Sequence, residues 1–126
     1  MCLQMNDSVF LVDDEPLVAM EIQDLIEEVG LKADGPYATV ARAQSALLES
    51  SPSCAVLDVR LRDGEIFPVA DELQARGIPI IFHSGHASPR QLLDRYPGAT
   101  VCEKPCSPSL LVRAIEQATS ADRQVA

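Results

Sequence analysis

Val9 to Glu15 reads VFLVDDE, four apolar side chains that stop abruptly at three acidic ones. A short, continuous apolar run of this kind is typical of a strand buried in a parallel sheet. Pro16 follows at once and suits the first turn of a helix. The stretch therefore predicts a buried strand whose carboxyl end bears carboxylates and leads directly into a helix.

The rest of the chain repeats this strand-then-helix pattern. Apolar runs predict four further strands, at residues 31–33, 55–57, 79–82 and 100–102. Apolar side chains at helical spacing predict helices at residues 16–29, 40–48, 67–76, 89–96 and 108–118. Gly35-Pro36 predicts a turn after the second strand. Five strands alternating with five helices predict an α/β fold, (βα)5, with a doubly wound, five-stranded parallel sheet between two layers of helices.

Composition narrows the classes of function. The 126 residues include 10 basic and 19 acidic ones, a net charge of −9, which disfavours binding to nucleic acid or to an anionic membrane. No apolar stretch is long enough to span a bilayer, and Met1 to Ser8 lacks the apolar core of a signal peptide. We expect a cytoplasmic protein with one domain at residues 1–119 (core about 8–119), a polar tail at 120–126 and no output domain.

Polar side chains collect where the predicted strands end. Asp13 and Asp14 follow the first strand and Asp58 the third, Ser84 follows the fourth, and Lys104 follows the fifth. The carboxyl ends of parallel strands share one edge of the sheet, where sites form. Clustered carboxylates require a cation, and oxygen ligands suit Mg²⁺. An aspartate can act as a nucleophile toward phosphorus, with a lysine and a hydroxyl to hold phosphoryl oxygens, so the pattern predicts phosphoryl transfer.

The cysteines predict no function by themselves. Nothing indicates an oxidising compartment, so structural disulfides are not expected. Cys102 and Cys106 could be combined with His83 and His86 into a zinc site, but their spacing is not that of a known zinc module. A redox switch through Cys106 has no support at this level. The remaining cysteines are Cys2 and Cys54.

These motifs together resemble the response-regulator receiver domain. The matching segments are VFLVDDE at residues 9–15, VLDVR at 56–60 and EKP at 103–105, with the hydroxyl of Ser84, and they cover essentially the whole chain. The resemblance implies a flavodoxin-like (CheY-like) fold with strand order 2-1-3-4-5. The segment Phe67 to Ala70 is similar to stand-alone alphaproteobacterial receivers. The segment 82–85 resembles a variant group whose aromatic pattern is not continued at residues 86–87.

The resemblance also implies roles for the three aspartates at the strand ends and for the backbone of Arg60. Asp58 corresponds to the phospho-acceptor. Asp14 corresponds to a direct Mg²⁺ ligand, Asp13 to a ligand that acts largely through water, and the backbone carbonyl of Arg60 to a further ligand. The residues Asp34, Asp63, Glu65 and Asp94 are interpreted as surface charge.

The other site residues follow from the same resemblance. Lys104 would pair with the phosphoryl group, and its peptide bond to Pro105 is commonly cis in the family. Ser84 would be the switch hydroxyl. Arg60 and His86 lie two residues beyond Asp58 and Ser84, where they would modulate the lifetime of the phosphoryl group. Val101 replaces the aromatic residue that many receivers rotate on activation, so we expect the signal to leave through residues 84–96.

The sequence thus predicts a response regulator in two-component signal transduction. It would take a phosphoryl group from a histidine kinase or histidine phosphotransfer protein, then signal by protein contact or by phosphorelay. It would not be an enzyme beyond its own phosphorylation and dephosphorylation. One alternative is a small phosphatase with an aspartyl-phosphate intermediate, although Arg60 stands where such enzymes carry a second aspartate. The other is a flavin- or nucleotide-binding module, although Asp-Asp-Glu replaces a phosphate-binding loop after the first strand.

Overall fold

The structure, a computed structural model, describes residues 7–85 and 87–123 of the chain, the last four of these by their backbone alone. The strands are β1 Ser8–Val12, β2 Lys32–Tyr37, β3 Cys54–Leu57, β4 Arg60–Leu61, β5 Gly64–Glu65, β6 Ile80–Ser84 and β7 Thr100–Glu103. The helices are α1 Pro16–Glu28, α2 Val40–Leu47, α3 Phe67–Ala75, α4 Pro89–Arg95 and α5 Pro108–Arg123. Among the described residues, no helix is long and apolar enough to cross a membrane.

One five-stranded parallel sheet forms the centre of the domain. Its order is β2-β1-β3-β6-β7, which is the predicted order 2-1-3-4-5 once the two short strands β4 and β5 are set aside. Side chains alternate between its faces, so Val9 and Leu11 pack with α1 and α5, whereas Phe10 and Val12 pack with α2, α3 and α4. The predicted doubly wound α/β fold is therefore confirmed.

The predicted turn at Gly35-Pro36 is wrong, because these residues lie within the second strand. Strand β2 runs through these residues, and its register against β1 shifts between Phe10 and Val12. Gly35 has φ +124°, and a Cβ built there would lie 2.5 Å from the carbonyl oxygen of Leu11. Glycine followed by proline here marks an irregularity within a strand because the backbones approach too closely for a side chain. The peptide bonds before Pro36 and before Pro105 are both cis.

Four local features differ from the sequence-based prediction or add to it. Residues 60–65, which lie between the predicted third strand and third helix, include the antiparallel pair β4 and β5. Asp63, interpreted as surface charge, accepts hydrogen bonds from the backbone N–H groups of Val40 (2.8 Å) and Ala41 (3.2 Å) and so caps α2. Asp34, interpreted in the same way, is half-buried and accepts hydrogen bonds from the hydroxyls of Tyr37 and Ser50. The final helix continues to Arg123, past the predicted start of the polar tail at residue 120.

Candidate functional site

The aspartates that follow β1 and β3 meet at the carboxyl edge of the sheet. Oxygen atoms of Asp13, Asp14 and Asp58 all lie within 4.8 Å of one another. Backbone hydrogen bonds extend the strands up to the site: Asp13 N–H donates to the carbonyl of Tyr37 (3.0 Å), and Asp58 N–H donates to that of Val12 (2.9 Å). The parallel ladder therefore brings together carboxylates that are separated by more than forty residues along the chain.

Burial makes this acidic cluster a suitable site for a cation. Asp13 is 3% exposed and Asp58 is 6% exposed. Loss of solvation, reinforced by the charge of Asp58, raises the pKa of Asp13 to about 6. Loss of solvation likewise raises the pKa of Asp58, in spite of the nearby ammonium of Lys104. One oxygen of Asp13, Oδ2, is buried without a hydrogen-bond partner. An oxygen-only donor set with an unpartnered carboxylate oxygen fits Mg²⁺.

Lys104 brings a positive charge to the cluster. Its Nζ lies 3.3 Å from Oδ2 of Asp58, 3.9 Å from Oδ2 of Asp13 and 3.1 Å from Oε1 of Glu15. Burial lowers the pKa of Lys104, but the hydrogen bond to Glu15 and the charges of the two aspartates outweigh it, so the net pKa is raised. The lysine is therefore held as an ammonium beside Asp58.

Ser84 ends β6 at the same edge of the sheet. It is 3% exposed, and its Oγ accepts a hydrogen bond from the backbone N–H of Ala87 at 3.1 Å. Its carbonyl accepts a hydrogen bond from the N–H of Lys104 at 2.9 Å. This backbone bond ties the segment after β6 to the segment after β7, so that movement of one would be transmitted to the other.

The open side of the site is a cleft of about 370 Å³ with charged walls. Arg60, predicted to lie at the mouth, is exposed and lines it, and its backbone N–H donates to the carboxylate of Asp58. The role of its carbonyl as a metal ligand stays a prediction. His86, the other predicted modulator, lies outside the described residues.

The sequence analysis did not identify two charged side chains that lie at this cleft. Glu15 binds the ammonium of Lys104, and Arg62 lines the cleft. The position of Glu15, next to Asp13-Asp14 in VFLVDDE, was the available signal, since three consecutive acidic residues end the same strand. Arg62 lies between the two short strands, a pairing that the sequence analysis did not predict.

The arrangement suits in-line attack on a phosphoryl group. Asp58 offers an oxygen nucleophile at the base of the cleft, and Lys104 offers a fixed positive charge 3.3 Å away. Phosphoryl transfer needs chiefly such positioning and charge neutralisation, with little further chemistry from the protein. The carboxylates repel a phosphate in the absence of a cation, which argues against simple binding of a phosphorylated ligand.

Comparison with known proteins finds similar sequences and similar structures. No protein-family model matches the chain. The phyllosphere-induced regulator PhyR of Methylorubrum extorquens is 29% identical over 117 residues, which cover 90% of this chain; the chain spans 44% of the length of that relative. The solution structure of SdrG from Sphingomonas melonis is 31% identical, with a TM-score of 0.76, and the match covers 92% of this chain and 98% of that one. The response regulator REC domain of PhyR from Erythrobacter litoralis is also 31% identical, with a TM-score of 0.77, over 90% of this chain and 89% of that one.

Proposed function

The chain belongs to the response-regulator receiver domains, and from that premise we propose that Asp58 accepts a phosphoryl group from the phosphohistidine of a sensor kinase or histidine phosphotransfer protein. The phosphorylated chain would then signal by contact with a downstream protein or pass the group onward in a phosphorelay. With such donors, the chain would act in the cytoplasm. The proposal rests above all on one observation: a buried aspartate, 3.3 Å from a lysine ammonium, lies within 4.8 Å of two further aspartates.

Each residue has a task in this transfer. An oxygen of Asp58 attacks phosphorus, and the histidine nitrogen leaves, so the P–N bond breaks as the P–O bond forms. Lys104 then exchanges its contact with the carboxylate for one with a phosphoryl oxygen. Asp13, Asp14 and Asp58 would hold Mg²⁺, which supplies charge neutralisation for the phosphoryl oxygens when bound. The Ser84 hydroxyl donates a hydrogen bond to the phosphoryl group in place of its present contacts.

We further propose that the chain turns over no separate substrate. A phosphatase that uses an aspartyl phosphate needs an acid or base close to the nucleophile to activate water. The side chain two residues after Asp58 is that of Arg60, which is exposed and cannot abstract a proton. Arg60 would instead shield the phosphoryl group from water, so Arg60→Ala should change the lifetime of the phosphoryl group several-fold. His86→Ala should also change this lifetime, in a direction that the sequence does not predict.

The direct test is phosphorylation of the purified chain by acetyl phosphate with Mg²⁺. We expect a mass increase of about 80 Da, the mass of one phosphoryl group. Asp58→Asn should abolish it, because an amide does not attack phosphorus. Asp14→Ala should weaken Mg²⁺ binding strongly, because it removes a direct ligand, so that labelling needs a higher Mg²⁺ concentration. Asp24→Asn, which changes an exposed carboxylate on α1, is the matched control. Full labelling of Asp58→Asn would overturn the assignment of the acceptor.

A further inference from the structure

One arginine of the phosphoryl cleft has no part in the transfer described above. Arg62 is exposed and lines the cleft. No ion pair among the described residues involves it, whereas Lys104, the cation beside Asp58, is already paired with Glu15 and with Asp58 itself. The guanidinium of Arg62 is therefore available to an anion that enters the cleft.

The backbone of Arg62 is held in place although its side chain is exposed. Arg62 and Asp63 form the turn between the antiparallel strands β4 and β5. Leu61 is 6% exposed and anchors the hairpin in the apolar cluster beneath it. The Asp63 carboxylate accepts hydrogen bonds from two N–H groups at the start of α2, at 2.8 Å and 3.2 Å. Strand pairing, core packing and the bonds to α2 thus fix the turn, so Arg62 leaves the backbone at a defined point of the cleft wall.

We propose that Arg62 selects phosphodonors whose leaving group is an oxyanion, the acyl phosphates, by pairing with that leaving group, and that Asp63 positions Arg62 for this task. The proposal rests on the function proposed above and adds a class of donor to it. In phosphoryl transfer the nucleophile and the leaving group lie on opposite sides of phosphorus. Asp58 is 6% exposed at the base of the cleft, so the leaving group must point toward the open side, where Arg62 is exposed.

The charge of the leaving group distinguishes two kinds of donor. With an acyl phosphate, an oxygen of Asp58 attacks phosphorus, the bond from phosphorus to the acyl oxygen breaks, and its electron pair leaves on a carboxylate. A guanidinium pairs with a carboxylate through two N–H groups, so Arg62 suits this leaving group. With phosphoramidate, which is protonated on nitrogen, the P–N bond breaks and neutral ammonia leaves, which a guanidinium does not stabilise. A protein phosphohistidine belongs to the second kind, since its bond to phosphorus also runs through nitrogen.

The test compares acetyl phosphate with phosphoramidate as donors to the purified chain in the presence of Mg²⁺, each below saturation. We expect Arg62→Gln to be labelled several-fold more slowly by acetyl phosphate and at the parent rate by phosphoramidate. The phosphoramidate rate also reports that the variant is folded and that Asp58 is reactive. Arg113→Gln removes the same charge from an exposed site on α5 and should keep the parent rates with both donors.

Two further variants test the contact and its support. Arg62→Lys keeps the positive charge but loses the fork of N–H donors, so it should restore part of the selectivity for acetyl phosphate. Asp63→Ala frees the turn from α2 and should lower the same selectivity, although Arg62 itself is unchanged. Equal slowing of Asp63→Ala with both donors would show a structural role only and would overturn its role in positioning Arg62.

The possible outcomes separate this inference from the proposed function. If Arg62→Gln keeps the parent ratio of the two labelling rates, Arg62 does not select the donor and the inference alone is overturned. Once formed, the phosphoryl group should be lost from Arg62→Gln at the parent rate, because the partner of Arg62 has left with the donor. A faster loss would show that Arg62 contacts the phosphoryl group itself, against the inference. If neither donor labels the parent chain, the proposed phosphoryl acceptance fails.

Discussion

Glu15 competes with Asp58 for the ammonium of Lys104, at 3.1 Å against 3.3 Å. It also adds a fourth carboxylate to a site that must admit a phosphoryl group. Because Glu15→Gln removes this charge and frees the lysine, we expect labelling by acetyl phosphate to become several-fold faster. Glu28→Gln changes an exposed acid at the far end of α1 and serves as control. The role assigned to Glu15 fails if its variant is labelled at or below the rate of the parent.

His83 makes folding sensitive to acid. It is 6% exposed on β6, opposite Cys102, and its Nδ1 has no hydrogen-bond partner. Burial, reinforced by the charge of Lys104 and opposed by that of Glu15, lowers its pKa below the ordinary 6.5. Above pH 6.5 the group is neutral in the folded and unfolded states and contributes no pH dependence. Below pH 6.5 the unfolded chain binds a proton that the folded chain resists, so the free energy of unfolding falls.

The matching measurement is urea unfolding of the parent and of His83→Gln between pH 7.5 and 5. We expect the variant to lose less stability than the parent over the lower part of this range, whatever its stability at pH 7.5. The raised pKa of Asp13 has the opposite effect to that of His83, since it stabilises the folded state as the pH falls. Because Asp13 is present in both the parent and the variant, its contribution cancels in the comparison. His86→Gln is the control for the other histidine. Parallel curves for the parent and His83→Gln would show that His83 is not the group responsible.

At the scale of elements, α4 is held to α3 at its carboxyl end. Leu92 and Tyr96 are 2% and 1% exposed. The Tyr96 hydroxyl donates to Asp71 at 2.6 Å, and Arg95 pairs with Asp71 at 3.1 Å while it stacks 4.4 Å from the ring centre of Phe67. The sequence analysis expected the signal to leave through the whole of residues 84–96. The structure shows firm anchoring from Leu92 onward, so only the first part of this segment is free to respond.

We therefore expect activation to be confined to residues 84–91. Amide exchange with and without beryllofluoride and Mg²⁺ should change there and stay constant at 92–96. Tyr96→Phe removes the bond to Asp71, costs about 1 kcal/mol of stability and should extend the change to residue 96. Asp94→Asn, on an exposed face of α4, should leave the pattern unaltered. A uniform change over 84–96 in the parent would contradict the anchoring, and silence over the whole range would contradict this route for the signal.

The irregular β2 strand depends on Gly35. Its positive φ and the 2.5 Å approach to the carbonyl of Leu11 leave no space for a methyl group. Gly35→Ala should therefore destabilise the fold by at least ~2 kcal/mol, measured by chemical unfolding. Gly98→Ala is the matched control, since a Cβ there meets no atom within 4 Å. A cost for Gly35→Ala no larger than that of the control would show that β2 adjusts freely.

At the scale of the whole molecule, the chain carries a net charge of −9, and one edge of its sheet gathers three aspartates whose oxygen atoms lie within 4.8 Å of one another. A cation that binds only the folded chain stabilises it by mass action, about 2.7 kcal/mol at a hundredfold excess over its Kd. We expect Mg²⁺ to raise the midpoint of thermal unfolding and NaCl at equal ionic strength to raise it much less. Asp14→Ala should lose most of the specific increase. If the two salts act equally on the parent, general screening of charge explains the effect and the cation site is not supported.

The sequence by itself determined the succession of strands and helices, because apolar periodicity records which faces are buried. It also determined that Asp13, Asp14, Asp58, Ser84 and Lys104 share one edge, because each follows a strand and parallel strands end together. Only the tertiary structure decided the course of β2 through Gly35-Pro36, the cap that Asp63 provides and the pairing of Glu15 with Lys104. These features depend on distances between segments that local patterns do not encode. A side chain within hydrogen-bond reach and one a few ångströms farther away look the same in the sequence, and their interaction energies differ steeply.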